Sequence, residues 1–210
     1  MDSLKTKSVN SKILAYTYFP KTKEELVEII KSEVEKNGWN CDLNHINTRK
    51  ITDMSELFGY TYFDVGYNLE QFNGDISKWD VSNVKNMKWM FVCSDFNSDI
   101  SNWNVSNVEN MCSMFADSKF NKDISNWDVS NVKNMREMFC GAKKFNQDLS
   151  KWDVSNVEDM DKIFCNTTKF NANISNWNVA KVKNMRGMFA NTDFNKDISK
   201  WDISNVEDMR

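Results

Sequence analysis

FNGDISKWDVSNVKNMKWMF (residues 72–91) returns as FNKDISNWDVSNVKNMREMF (120–139) and FNANISNWNVAKVKNMRGMF (170–189). Six tryptophans, Trp79, Trp103, Trp127, Trp152, Trp177 and Trp201, keep this register at separations of 24, 24, 25, 25 and 24 residues. Only the link after the last Phe varies in length. Upstream, DLNHINTRKITDMSELF (42–58) reads as a degenerate unit with Ile46 at the Trp position and Phe58 closing it, and Trp39 falls outside the tryptophan register. The array holds seven units, with a nine-residue insertion within 59–71 and an incomplete last unit that stops at Arg210.

Inside a unit the apolar spacing changes. Ile76, Trp79 and Val81 follow LxxLxL, whose last two members share one face of a strand. Val84, Met87 and Phe91 recur at three and four residues, as one face of a short helical turn does. A 24-residue unit cannot bury its apolar face alone, so stacking is obligatory and each residue packs on its counterpart one repeat away. The expected fold is an α/β repeat solenoid, a leucine-rich-repeat-like stack of about seven 24–25-residue units, each a short parallel strand plus a short helical turn, about 4.8 Å apart.

Residues 1–41 precede the array as a tail and a capping helix. Thr22 and Glu25 have capping-box spacing, Leu26, Ile29, Ile30 and Val34 make an apolar stripe, and Asn37-Gly38 is a stop, so a helix is expected over about 22–37. An interfacial membrane helix is the alternative, against which stands a polar face that mixes Glu with Lys.

The FNxDISxWDVSNVxNMxxMF pattern resembles the BspA-like leucine-rich repeat surface proteins, over Asp42 to Arg210. The resemblance implies the leucine-rich-repeat-like solenoid with its amino-terminal helical cap, right-handed coiling, attachment to host or matrix proteins, and a place at the cell surface. No secretory signal peptide, lipidation cysteine, wall anchor or run of about 18 apolar residues is read in the sequence, which by itself points to the cytoplasm and to no membrane insertion.

Composition narrows function. Lys and Arg total 27 against 30 Asp and Glu, a net charge of −3, so no global basic field attracts phosphate and nucleic acid is not an expected partner. The single histidine, His45, sits where other units carry Lys or Asn and is read as exposed; no glycine-rich phosphate loop exists, and the carboxylates are repeated positions rather than an asymmetric pair. No catalytic residue, cofactor or metal is expected. The five cysteines are read as reduced thiols: Cys140 and Cys165 share the slot after the closing Phe, where a disulfide is the alternative to inert burial. The Met-x-x-Met pairs read as core, since Ile163 and Leu57 substitute for Met, rather than as copper(I) ligands.

Stacking also assigns the polar rows. Lys85, Glu109, Lys133, Glu158, Lys183 and Glu207 alternate in sign, as a ladder of opposite charges requires. Asn73, Asn97, Asn121, Asn146, Asn171 and Asn195 are expected as a buried amide ladder, a ligand-contact row being the alternative. Asp75, Asp99, Asp123, Asp148, Asn173 and Asp197 suit Asx-turns, with calcium chelation as the alternative.

The candidate partner-binding residues are Asp80, Asn104, Asp128, Asp153, Asn178 and Asp202, which alternate with buried neighbours and so face solvent, and Tyr60, Tyr62, Phe63 and Tyr67 of the inserted link. For the first row a solvated face stands against cation or basic-partner binding; for the second, cap packing stands against a binding anchor. Two functions follow: a non-catalytic scaffold that binds a protein partner through its sheet face or aromatic loop, or an intracellular structural scaffold that self-associates end to end.

Overall fold

The computed structural model describes residues 15–60 and 67–210. One helix, α1 (Lys23–Asn37), precedes a series of units that repeat about every 24 residues. The Thr22 hydroxyl accepts the Glu25 N–H at 3.2 Å, and Gly38, at φ +82°, closes the other end through its N–H to the Val34 carbonyl at 2.8 Å. The capping box is displaced by one residue: the Glu25 carboxylate takes the N–H of Lys21 rather than that of Thr22. Leu26, Val27, Ile30 and Val34 are buried in the same core as the first unit, so the apolar stripe is covered by the chain itself. Lys23 Nζ reaches Ser55 Oγ at 3.0 Å, and the Tyr18 hydroxyl and His45 Nε2 both meet the Glu33 carboxylate, at 2.9 and 3.3 Å. His45, expected to be exposed, is half-buried in this junction.

Among the described residues no extended strand and no helical turn forms inside the units. Neighbouring units are joined by isolated parallel bridges, one series running Asp53, Asn86, Asn110, Asn134, Asp159, Asn184 and Asp208, with Tyr18–Ile46 and Asp42–Asp75 added at the N-terminal end. The three-residue apolar spacing is produced by β-turns instead. Ile76 and Trp79 close one turn (3.1 Å), Val81 and Val84 a second (2.9 Å), Met87 and Met90 a third (3.2 Å); the three recur as far as Met185 and Met188, and the first two again at Ile198–Trp201 and Ile203–Val206. A β-turn brings residues i and i+3 together as a helical turn does, which is why the sequence pattern suits both. The third turn cannot propagate as a helix, because its third residue is left-handed: Glu56, Trp89, Ser113, Glu137, Lys162 and Gly187 have φ between 51° and 63°. A second left-handed residue follows the closing Phe by two, at Cys93, Asp117, Gly141, Asn166 and Asn191.

Those reversals aim every second N–H along the array. Met111, Ser113, Phe115 and Asp117 donate to Asn134, Arg136, Met138 and Cys140 of the next unit at 2.7–2.9 Å. Side chains stack in step. Phe58, Phe91, Phe115, Phe139, Phe164 and Phe189 form one ladder, with ring centroids 5.5–6.0 Å apart and planes within 10°. Phe72, Phe96, Phe120, Phe145, Phe170 and Phe194 form a second beside it. The tryptophans are buried from Trp79 to Trp177, and each indole N–H donates to a carbonyl of the preceding unit, as Trp103 does to Ile76 at 3.1 Å. The Met-x-x-Met side chains lie in the core. Trp39 joins the array after all. Its carbonyl accepts from Asn73 N–H at 2.9 Å and Asp42 bridges Asp75, so Trp39-Asn40 stands where later units have Phe-Asn. No helix of the described residues is long and apolar enough to cross a membrane.

Candidate functional site

The candidate row is built by the turn that precedes Val84. At each unit the side-chain Oδ1 of the residue after Trp accepts the backbone N–H two residues on: Asp80 from Ser82 (3.1 Å), Asn104 from Ser106 (3.2 Å), Asp128 from Ser130 (3.1 Å), Asp153 from Ser155 (3.0 Å), Asn178 from Ala180 (3.2 Å) and Asp202 from Ser204 (3.1 Å). In the first unit Asn47 does the same for Arg49. The Ser82 and Ser130 hydroxyls add a second bond to the same oxygens, at 2.6 Å each. Ser155 and Ser204, through hydroxyl and then backbone N–H, hold the Asp153 and Asp202 carboxyls below the usual carboxylate range. Asp80 is half-buried and lies 4.0 Å from Arg49; the other five side chains are exposed. The row thus faces solvent, with one oxygen of each acid committed to its turn.

The second acidic row is built alike, Asp75, Asp99, Asp123, Asp148, Asn173 and Asp197 each accepting the N–H of the serine two residues on at 2.9–3.0 Å. A third Asx column escaped the sequence reading: Asn86, Asn110, Asn134, Asp159, Asn184 and Asp208 cap the Met turn. Three such caps per unit account for the abundance of Asn and Asp before turns.

The Phe-Asn amides form the expected ladder between units. Asn73 Oδ1 accepts Asn97 N–H at 2.7 Å, and the bond repeats through Asn121, Asn146, Asn171 and Asn195. The ladder is half-buried to exposed rather than buried. A second amide ladder went unread: Asn83, Asn107, Asn131, Asn156 and Asn205 donate Nδ2 to a carbonyl one unit back at 2.7–2.8 Å. In the alternating row, Lys133 pairs with Glu109 (2.9 Å) and Lys183 with Glu158 (3.0 Å).

Of the aromatic link, Tyr62 and Phe63 lie outside the described residues. Tyr67 packs against the core with Lys31 Nζ 5.8 Å from its ring centroid, which ties it to the cap. Tyr60 is 40 % exposed, and its N–H donates to Val92. All five cysteines are free thiols. Cys140 and Cys165 sit side by side, Gly141 N–H bonding the Cys165 carbonyl at 2.7 Å. Burial first, and the neighbouring Cys165 second, push the Cys140 thiol up to about 12, which keeps it protonated and unreactive at neutral pH.

These features define a tandem-repeat protein with units of about 24 residues, a stacked aromatic ladder and one N-terminal helix. The model of the family described as Mycoplasma protein of unknown function, DUF285, matches residues 30–119, 60–168 and 117–210, and the chain belongs to that family. No curated protein and no solved structure matches it.

Proposed function

We propose that the chain is a non-catalytic recognition scaffold, a leucine-rich-repeat-like solenoid of the BspA-like kind, that binds a protein partner through the row Asp80, Asn104, Asp128, Asp153, Asn178 and Asp202. The observation that carries this reading is a charge that the turn can do without. The Asx-turn requires only an Oδ1 acceptor, and Asn47, Asn104 and Asn178 supply it without charge. Asp80, Asp128, Asp153 and Asp202 keep a carboxylate at the same place, and where Asp128 and Asp153 are neighbours like charges repel, which a basic partner would relieve. An attachment role suits this geometry, because position-equivalent side chains recur at unit spacing and a repeating or extended partner meets several of them together. The absence of an asymmetric acid and base pair in the row fits a binding role better than a hydrolytic one.

The test is a biosensor comparison of the wild-type chain with Asp80→Asn, Asp128→Asn, Asp153→Asn combined, against a panel of extracellular-matrix proteins at two salt concentrations. Salt-sensitive binding of the wild type that the triple variant loses supports the reading. Equal binding of both chains to every panel member overturns it.

A further inference from the structure

The first two units carry a cationic hollow that the repeat pattern does not require. Lys21, Arg49, Lys50, Thr52, Asn83 and Lys85 line a concavity of about 620 Å³. The turn that holds Arg49 and Lys50 is closed by Ile51 N–H on Thr48, as Val84 closes on Val81. Arg49 therefore stands in the column otherwise filled by Ser82, Ser106, Ser130, Ser155, Ala180 and Ser204. Lys50 stands in the column of Asn83, Asn107, Asn131, Asn156, Lys181 and Asn205. Both departures from the repeat add positive charge at one place, and Lys21 joins them from the segment before α1.

This charge is barely neutralised. Among the described residues the nearest carboxylate partner of any of the four cations is Asp80, 4.0 Å from Arg49 Nε. Glu25 is turned to the backbone N–H of Lys21. Glu109, the acid one unit along from Lys85, is engaged by Lys133 at 2.9 Å. The array supplies its own comparison at the same edge of its last three units, where Lys181, Lys183, Asn205, Glu158 and Glu207 line a hollow of about 360 Å³. There Lys183 is paired with Glu158 at 3.0 Å and Lys181 donates to Asn156 at 2.6 Å. Two lysines in that hollow are balanced by two acids; four cations in the first hollow meet none among its lining residues.

We infer that the Lys21, Arg49, Lys50 and Lys85 hollow is a binding site for a phosphate ester or diphosphate group. A guanidinium fork and ammonium donors suit a tetrahedral oxyanion, and exposed Thr52 adds a neutral hydroxyl to the lining. A single hollow, with acids beginning again at Glu109, suits one compact anion rather than a long polyanion. The site is separate from the acidic row and stands whether or not that row binds a partner.

The test is a titration of the full chain with inorganic pyrophosphate at fixed ionic strength, followed by amide NMR shifts. Saturable shifts are expected at Arg49, Lys50, Thr52, Asn83 and Lys85, with Lys181 and Lys183 unmoved. Arg49→Gln with Lys50→Gln is expected to weaken binding about tenfold. Both side chains are exposed, so an unchanged unfolding midpoint checks the fold; Lys85→Gln alone provides a second variant, with a smaller loss. Shifts that do not saturate, that appear equally at Lys181 and Lys183, or that persist with the same affinity in both variants overturn the assignment.

Discussion

The indole N–H of Trp127 donates to the carbonyl of Ile100, 27 residues earlier, at 3.1 Å. Every tryptophan of the register repeats this bond to the unit before it, from Trp79 to Trp201. Replacing Trp127 by Phe keeps an aromatic ring in the ladder but takes that donor from the Ile100 carbonyl, which retains the Trp103 N–H at 3.1 Å. A loss of about 1 kcal/mol is expected in urea unfolding. Trp201→Phe is expected to cost less, because that ring is only half-buried.

A buried carboxylate ties three units together. Asp161, fully buried, meets Arg136 at 3.0 Å on one side and Arg186 at 3.0 and 2.9 Å on the other. The arginines are about 40 % exposed, so freed of Asp161 they can be hydrated, whereas Asp161 freed of them cannot. Asp161→Ala is therefore expected to cost about 1–2 kcal/mol, and Arg136→Met with Arg186→Met about 3–5 kcal/mol. Urea unfolding of the two variants side by side checks the order.

Acid stability follows the Asx caps. The backbone N–H groups of Ser125, Ser150 and Ser199 hold Asp123, Asp148 and Asp197 below the ordinary value of 3.8, and Arg210 holds Asp208 at about 2. A carboxylate whose folded value lies below its unfolded one contributes stability that is complete above the unfolded value and lost as pH falls through the folded one. The loss is thus expected to begin below about pH 4 and to continue towards pH 2. Asp123→Asn with Asp148→Asn keeps the acceptors and should flatten this limb, as thermal midpoints across that range would show.

The left-handed turn residue separates a β-turn from the helical turn that the sequence suggests. Lys162 has φ 53°, and the same position one unit on is Gly187. Lys162→Gly is expected to match or exceed wild-type stability, where in a helix it would cost about 1 kcal/mol. Lys162→Val is expected to lose about 1–2 kcal/mol.

The register of the units was open to reading because Trp and Phe recur at an almost constant period, and from stacking alone the Phe-Asn ladder and the Lys133–Glu109 pairing followed. The local conformation was not. Residues i and i+3 meet in both kinds of turn, and of the left-handed residues of the Met turn only Gly187 carries a glycine or asparagine signal, while Glu56, Trp89, Ser113, Glu137 and Lys162 give none. Trp39 was hidden because it replaces a Phe, not a Trp, of the repeat. The Arg136–Asp161–Arg186 column obeys the same lateral logic as the Lys and Glu row but lies in a variable position, where one column had to be compared across units. The acidic row was legible as a solvent-facing line; its capping role at Oδ1 needed the turn geometry. The aromatic link divides, with Tyr67 drawn into the cap and Tyr60 left partly exposed.

In the acidic row the turn engages the Oδ1 acceptor, which an uncharged amide supplies as well, so the proposed partner binding can use the charge without loosening the turn. Urea unfolding at pH 7 of Asp128→Asn beside Asp128→Ala separates acceptor from charge. The Asn variant is expected to stay close to wild type while the Ala variant loses about 1 kcal/mol, the cost of an uncapped N–H. Equal losses in the two variants would make the charge itself structural and overturn the proposal.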